Sequence, residues 1–300
     1  MNVKDIGEIN AVAADPARIR EEDARFDGQI LALAQAIAKE RDSRPVVLIS
    51  GPSGSGKTTT AHKIEKILDA EGMETHVVSL DNYFKTVLPE ERTVIDLESP
   101  SRVDGELLSR HIRELVEGKE IGIPVFDFVN TRRSEKIIPL RRKPNEIIVF
   151  EGIHSLNPSV VTVGEEYVRT IYVSVRTRVR LAGGELVHPK YIRLMRRACR
   201  DKLFRGRSVA ETLAYFQSVE RGEENYIMPY KHRAEFDLDT FISYELSAYA
   251  EKLCADLARL PEETKTAFSE ETEAVNAAFA ETVPHAIRPA EGSLIREFIG

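Results

Sequence analysis

Residues 51–58 read Gly51-Pro52-Ser53-Gly54-Ser55-Gly56-Lys57-Thr58, the phosphate-binding loop pattern of glycine, four residues, glycine, lysine and serine or threonine. Glycines let successive backbone N–H groups point inward at an anion, and the helix that follows adds the positive end of its dipole. Lysine brings a full charge to the β- and γ-phosphates, and the threonine hydroxyl can ligate Mg²⁺. The stretch predicts a site for a nucleoside triphosphate. Its expected contacts are Gly51, Ser53, Gly54, Ser55, Gly56, Lys57, Thr58 and Thr59.

The segments on either side of the loop fit this prediction. Residues 45–50 form a short apolar, β-branched run, and residues 59–68 carry apolar side chains at helical spacing. Strand candidates and helical stretches then alternate along the chain. The strands are expected at 75–80, 147–150, 168–175 and 236–242, and the helices at 57–70, 103–117, 189–202 and 208–227. The alternation predicts an α/β fold of the P-loop NTPase type: a parallel sheet of about five strands, helices on both faces, and a helical lid.

The composition is that of an ordinary soluble protein. The chain has 300 residues and a net charge of −7, so no global basic surface indicates nucleic acid as a partner. No apolar run approaches membrane-spanning length, and the first residues lack the apolar core of a signal peptide. Cys199 and Cys254 are the two cysteines, which argues against a disulfide framework or a zinc site. We expect a cytoplasmic enzyme without a membrane partner.

Three parts are expected along the chain. Residues 1–43 form a helical extension, in which 1–20 are poorly periodic and 21–41 have one apolar helical face. Residues 44–260 form the P-loop domain, with a lid at about 185–207 and a closing helix from 243 to 260. An acidic tail, 261–300, is expected to be helical in part and receives no function.

Two carboxylates follow predicted strands. Asp81 comes directly after the second strand, and Glu151 ends the third. In an open α/β sheet, ligands bind beyond the carboxyl ends of the strands. Asp81 can therefore take the proton of an acceptor hydroxyl or reach the metal, and Glu151 can bind Mg²⁺ directly or through water. The alternatives are a turn or helix N-cap residue for Asp81 and an exposed strand end for Glu151. His154 nearby could line the cleft, but a lone histidine beside a strand end is more often structural.

A cluster of cations occupies residues 190–207, where eight of eighteen residues are lysine or arginine. Arg193, Arg197 and Arg200 lie at i, i+4 and i+7, on one helix face, and Arg196 lies one position off it. A stripe of arginines facing a phosphate loop is typical of a lid that neutralises the transferring phosphoryl group and excludes water. A solvated helix face and a nucleic-acid patch are the alternatives.

With these features placed, the chain resembles the uridine kinase and phosphoribulokinase family of phosphate-loop kinases, from about residue 44 to 255. Segments EGIHSLN, RDKLFRGRS and SVERGEENYIMPY look closest to a bacterial uridine-kinase-like branch. The segments that carry the resemblance are GPSGSGKTT at 51–59, LDNYF at 80–84, IDLESPSRVDGELL at 95–108, IPVFDFVNTRR at 123–133, VFEGIHSLN at 149–157 and RLMRRACRDKLFRGRS at 193–208.

The resemblance implies roles for individual residues. Asp81 matches the catalytic base, acting with Lys57 and Arg200. Thr58, Glu151 and Asp81 match the metal contacts. Arg200, Arg205 and Arg207 match lid arginines that touch the phosphates of ATP. On the acceptor side, the matching positions are Asp81, Tyr83, Glu98, Phe126, Phe128, Thr131, Arg197 and Tyr215, with Asp96 as the alternative to Glu98 for the ribose-binding acid.

Two positions depart from the family pattern. Thr131 stands where uridine kinases carry a histidine that reads the uracil edge, and Tyr215 stands where they carry a glutamine. A missing polar contact costs discrimination strongly. The expected function is transfer of the γ-phosphoryl group of ATP, with Mg²⁺, to the 5′-hydroxyl of a nucleoside. The alternatives are a kinase of another small alcohol, such as a pentose phosphate or pantothenate, and a nucleotide-dependent regulator. The family is often oligomeric, so a homo-oligomer is left open.

Overall fold

The structure is a computed structural model, and it describes residues 2–91 and 95–300. No helix in these two ranges is both long and apolar enough to cross a membrane. The strands are β1 (Val3–Asp5), β2 (Val46–Ser50), β3 (Thr75–Ser79), β4 (Glu120–Asp127), β5 (Arg132–Arg141), β6 (Ile147–Glu151), β7 (Val168–Ser174), β8 (Arg178–Arg180), β9 (Leu186–Val187) and β10 (Phe236–Asp239). The α-helices are α1 (Ile6–Ala13), α2 (Pro16–Ala38), α3 (Lys57–Ala70), α4 (Gly105–Val116), α5 (Pro189–Phe204), α6 (Val209–Tyr226), α7 (Glu245–Ala258), α8 (Glu262–Ala267), α9 (Ser269–Glu281) and α10 (Arg296–Ile299).

Five strands form the central sheet, in the order β10-β7-β2-β6-β3, and every pair in it is parallel. All residues of β2, β6 and β7 are buried, because helices cover both faces of the sheet. One hydrophobic cluster lies on each face. The α/β class and the parallel sheet of five strands are confirmed, and each predicted strand coincides with a strand of this sheet.

The sheet register brings three loops to one edge. Ile49 pairs with Glu151, and Ser79 pairs with the same glutamate from the other side. The phosphate loop after β2, the turn after β3 and the end of β6 therefore lie at the same level. This is the edge at which a parallel α/β sheet binds its ligands.

The hairpin β4–β5 was not predicted. Its strands pair antiparallel, with an irregularity between Pro124 and Phe126. Most residues of β5 are exposed, so the strand shows no buried face in its sequence. Charged side chains and Pro139 make it look like a loop. The hairpin matters because it carries the aromatic segment expected at the acceptor.

The N-terminal region is more ordered than its sequence suggests. Residues 1–20 showed little periodicity, yet α1 lies there, and α2 starts at Pro16, with the Asp15 carboxylate accepting from the backbone N–H of Ala17 at 2.8 Å. Two acidic residues of α2, Glu22 and Asp23, are buried. Polar residues on the buried face weaken the apolar pattern, which is why the sequence placed the start of the helix too late.

The tail is folded onto the P-loop domain. Three short helices, α8 to α10, occupy it, so the expectation of partial helicity is met. Buried side chains of α9 and of residues 294–298 belong to the same hydrophobic cluster as β2, β7 and α5. The N-terminal helices contribute to that cluster as well. Both segments outside the P-loop domain thus share its core.

Candidate active site

The phosphate loop lies between β2 and α3, as the sequence predicts. Gly54 and Gly56 have φ angles of 75° and 87°, in the left-handed region that favours glycine. A Cβ on Gly51 would overlap the carbonyl oxygen of Val173, so the loop lies directly against β7. The Ser55 hydroxyl is buried and, within the described residues, has no hydrogen-bond partner. A cradle of backbone N–H groups at the start of a helix fits a polyphosphate.

Three arginines of α5 hold the outside of this loop. Arg193 donates to the Ser53 carbonyl at 3.3 Å, and Arg197 donates to the Ser53 hydroxyl at 2.7 Å. Arg196, fully buried, donates to the Gly54 carbonyl at 3.2 Å and pairs with Glu245 at 2.6 Å. The predicted arginine stripe does face the phosphate loop. However, Arg193, Arg196 and Arg197 bond the loop itself and so fix its position, rather than remaining free to bind phosphates.

The remaining arginines gather around one buried carboxylate, Asp201. Arg197, Arg200, Arg205 and Arg207 have nitrogens at 3.5, 3.8, 3.2 and 3.9 Å from its oxygens. Burial, together with the neighbouring Arg205 and Arg197, lowers the pKa of Arg200 to about 10, so it stays cationic at neutral pH. One carboxylate faces four cations. The excess positive charge suits a polyphosphate beside the loop.

The predicted carboxylates and Lys57 lie within electrostatic reach of one another. Asp81 lies in a turn of 3-10 helix, Leu80–Tyr83, directly after β3. Burial raises the pKa of Asp81, and the Lys57 ammonium opposes that shift. Burial likewise raises the pKa of Glu151, opposed by Lys57 and reinforced by Asp81. Burial lowers the pKa of Lys57. The site thus places two carboxylates and one lysine close together in a poorly solvated pocket.

That donor set fits Mg²⁺. Thr58 is exposed at the head of α3, and Glu151 is buried at the end of β6. Hydroxyl and carboxylate oxygens are the ligands that Mg²⁺ prefers. A divalent cation would oppose the burial that raises the pKa values of Asp81 and Glu151, and it would offset the repulsion that Asp81 exerts on Glu151. Thr58, Glu151 and Asp81 remain the predicted metal contacts.

Glu98 lies close enough to Asp81 for the two carboxylates to influence each other. It packs against Gly222 of α6, where a Cβ would overlap its side chain. Burial raises the pKa of Glu98, opposed by Arg197 and reinforced by Asp96 and Asp81. Asp96 instead accepts from the Tyr226 hydroxyl and from the Glu98 backbone N–H, both at 3.0 Å. Since Asp96 already has these two donors, Glu98 is the better candidate for an acceptor hydroxyl.

His154 supports this loop. Its Nε2 lies 2.9 Å from the Glu98 carbonyl oxygen, and burial lowers the pKa of His154 to about 4. The ring is therefore neutral at neutral pH, and Nε2–H donates to the carbonyl. The structure agrees with a structural role for this histidine.

Aromatic residues expected at the acceptor form a chain of ring contacts. The Phe126 ring lies 5.7 Å from Phe84 and 5.1 Å from Phe128, both edge to face. Phe128 is 62% exposed, and Thr131 lies in the hairpin turn with a φ of 57°. Tyr215 of α6 lies under two guanidinium groups, Arg197 at 5.1 Å and Arg207 at 5.4 Å.

Tyr83 lies apart from these rings. It is fully buried, and its hydroxyl lies 3.0 Å from His111 Nδ1. We therefore assign it to the core beneath the turn rather than to contact with an acceptor. Arg133 bonds the Tyr83 and Phe84 carbonyls at 2.9 and 3.0 Å and so ties the hairpin to that turn.

Sequence reasoning missed Arg102. This arginine is 4% exposed and lies 5.4 Å from the Phe84 ring. Within the described residues its Nε and Nη1 have no hydrogen-bond partner. Burial lowers its pKa, and Tyr215 opposes that shift. Arginines are rarely buried without an ion-pair partner, and among the described residues Arg102 has none. Its sequence position gave no sign of this, because its burial is visible only in the fold.

Comparison with known proteins agrees with this geometry. Uridine kinases from Lactobacillus johnsonii and Borrelia turicatae are 33% identical over 202 residues and 30% identical over 193 residues. These alignments span 65% and 63% of this chain, and 86% and 84% of the relatives. A crystal structure of a proposed fructose transport system kinase from Silicibacter sp. TM1040 superposes with a TM-score of 0.52. Its sequence is 19% identical, and the superposition covers 70% of this chain and 98% of the fructose transport system kinase. At this identity the likeness shows the fold alone.

The phosphoribulokinase / uridine kinase family matches residues 46–243, which is more than half of the chain. That stretch starts with β2 and ends just after β10, so it includes the phosphate loop, Asp81, Glu98, Glu151 and the arginine cluster. The chain is an ATP-dependent kinase and belongs to the phosphoribulokinase / uridine kinase family.

Proposed function

We propose that this kinase phosphorylates the 5′-hydroxyl of a nucleoside. The observation that carries the proposal is the arrangement around Asp81. The charges of Lys57, Arg205 and Arg200 all act on the Asp81 carboxylate. The Asp81 charge acts in turn on Glu98, which the Arg197 guanidinium also faces. A hydroxyl held by Glu98 and Arg197 would lie between Asp81 and the terminal phosphate of a bound triphosphate. The uridine kinase relatives support a nucleoside in that place.

The reaction needs little beyond position and charge. Asp81 accepts the proton of the 5′-hydroxyl as its oxygen bonds to the γ-phosphorus. The bond from that phosphorus to the β,γ-bridging oxygen breaks, and ADP leaves. Lys57 and Arg200 neutralise the charge that develops on the phosphoryl oxygens, with Arg205 and Arg207 at the more exposed side. Mg²⁺ bound by Thr58, Glu151 and Asp81 would add to that neutralisation.

The base side of the pocket favours stacking over edge recognition. Phe84, Phe126 and Phe128 offer aromatic surface, and Tyr215 adds a ring already covered by two arginines. Thr131 and Tyr215 do not supply the hydrogen bonds that the family's histidine and glutamine give to uracil. A stacking site of this kind tolerates several bases.

We therefore expect uridine to be a poor acceptor compared with another nucleoside. The expected difference in kcat/KM is roughly tenfold or more, since unread polar groups in a pocket cost discrimination. ADP release is measured at fixed ATP with uridine, cytidine, thymidine, adenosine, guanosine and inosine. If uridine and cytidine lead the panel by a wide margin, this account of the base pocket is wrong. If no nucleoside stimulates ADP release, the proposed acceptor class is wrong.

A second acceptor class is favoured by one residue, Arg102. Its Nε and Nη1, which have no hydrogen-bond partner among the described residues, suit an anionic group on the acceptor, as in a sugar phosphate or a carboxylated alcohol. Pentose phosphates and pantothenate therefore belong in the same panel. An Arg102→Met variant separates the two classes, because it should raise KM strongly for an anionic acceptor and much less for a neutral nucleoside.

A further inference from the structure

The last residues of the chain return to the phosphate loop. Residues 289–300, here called the C-terminal segment, lie outside the stretch that matches the family. Leu294 packs so closely on Gly56 that a Cβ there would come within 2.7 Å of its Cδ1. The fully buried Phe298 ring lies 5.1 Å from the Arg196 guanidinium carbon. The segment therefore fills the space between the loop and α5.

The buried Asp23 of α2 anchors the segment. Its carboxylate accepts from the Ser293 hydroxyl at 2.8 Å and from the Tyr244 hydroxyl at 2.5 Å. The Ala290 backbone N–H adds a third donor at 3.4 Å. Because Asp23 is buried among these donors, breaking the set would be costly. The segment is consequently a fixed part of the fold and forms a wall beside the phosphate loop.

One side chain of the segment reaches the head of α3. The Glu297 carboxylate accepts from the Thr59 hydroxyl at 2.6 Å and lies 3.9 Å from Arg200. It also contributes to the electrostatic environment of Lys57 and Glu151. The terminal phosphate must lie toward Asp81, where the acceptor is expected. The nucleoside end of a bound triphosphate therefore points the other way, past Thr59.

A groove begins at that point. It has a volume of about 930 Å³ and is bounded by α2, the first turns of α3 and the C-terminal segment. Thr58 and Thr59 lie at its inner end. Leu31 and Ile67 provide apolar surface, and polar side chains, among them Asp27, Lys63 and Glu297, line it as well. A volume near the upper end of the 300–1,000 Å³ range of small-molecule sites holds a nucleoside with room to spare.

We propose that the nucleoside half of the donor nucleotide binds in this groove, which we call the donor groove. The base lies on Leu31 and Ile67, and the ribose hydroxyls donate to the carboxylates of the rim. The proposal rests on the proposed function in one respect, that the donor is a nucleoside triphosphate. Two elements outside the family's matched stretch, α2 and the C-terminal segment, thereby build a subsite for the family's reaction.

The test places a larger side chain in the groove and compares the affinities of two ligands that both bind the phosphate loop. Gly28 of α2 lines the groove, and nothing lies within 4 Å of a Cβ placed on it. Gly7 of α1 has equally open surroundings but does not line the groove, so Gly7→Leu is the matched control for Gly28→Leu. Leucine suits a helix better than glycine, so neither change should unfold the protein. Binding of ATP and of inorganic tripolyphosphate is measured by calorimetry with Mg²⁺ and no acceptor.

We expect Gly28→Leu to lower the ratio of ATP affinity to tripolyphosphate affinity at least tenfold, and Gly7→Leu to leave it within twofold. Glu297→Gln should lower the same ratio severalfold. An unchanged ratio in Gly28→Leu overturns the donor groove. A higher ratio in Glu297→Gln also overturns it, because the carboxylate would then be an occupant that excludes the nucleoside. If the unmodified protein binds neither ligand, the phosphate-loop assignment itself fails, which is a different result.

Discussion

Asp81→Asn is expected to lower kcat by about 10²–10⁴, the range that a positioned general base contributes. The amide cannot accept the proton of the acceptor hydroxyl, while ATP binding depends mainly on the loop and the arginines. The melting temperature should stay the same or rise, because burial disfavours the Asp81 charge in the folded protein. Steady-state kinetics and a thermal melt are measured on the same preparation. Loss of ATP affinity with an unchanged maximal rate would make Asp81 a metal or structural residue.

The same residue sets a pH dependence. The base works only when ionised, and burial raises the pKa of Asp81 against the opposing Lys57 charge. The value of kcat/KM should therefore fall as the pH drops through the pKa of Asp81. Because that pKa is raised, the fall should occur at a higher pH than for an ordinary aspartate. The Asp81→Asn variant should lose that acidic limb. A limb that persists in the variant would belong to another group.

Arg196→Ala is expected to destabilise the protein by about 3–5 kcal/mol, the cost of breaking a buried ion pair by removing one partner. Arg196 is fully buried, and its guanidinium bonds Glu245 at 2.6 and 3.0 Å and the Thr240 carbonyl at 2.6 Å. Without it, the Glu245 carboxylate stays buried with only neutral donors. Burial alone would lower the pKa of Arg196, but the neighbouring Glu245 outweighs it and the pKa is raised, so the guanidinium carries its charge at any accessible pH.

The measurement is urea denaturation, with Arg207→Ala as the control. Arg207 lies on the same stretch of chain but is 44% exposed, so its loss should change stability by less than about 1 kcal/mol. Adding Glu245→Gln to Arg196→Ala should recover part of the loss, since a neutral amide is cheaper to bury. Equal effects of the two arginine variants would contradict a structural role for Arg196.

The local features of this fold were predictable from the sequence. The phosphate loop is fixed by glycines and by a strand and helix on either side, and β2, β6 and β7 read as apolar runs because both faces of the sheet are covered. Asp81 and Glu151 could be assigned to the site from sequence. Asp81 comes directly after a strand, and Glu151 ends one. The rule that ligands bind at the carboxyl ends of strands then brought them together.

Features that depend on distant contacts were not predictable. Arg196 and Arg200 look alike in sequence, and only the fold shows that one is buried against Glu245 while the other lies near the head of α3. Asp23 weakens the apolar pattern of α2 because its partners, Ser293 and Tyr244, are more than two hundred residues away. The C-terminal segment gave no motif, although its Glu297 accepts a hydrogen bond from Thr59 at the head of α3.

The most direct test of the central claim is the identity of the product. The protein is incubated with ATP, Mg²⁺ and the best nucleoside of the panel, or with the 5′-deoxy analogue of that nucleoside, and the products are followed by phosphorus NMR. We expect a nucleoside monophosphate whose phosphorus couples to the 5′ protons, formed in step with ADP, and no such product from the analogue. Release of inorganic phosphate alone, or equal ATP consumption with both compounds, would contradict phosphoryl transfer to the 5′-hydroxyl.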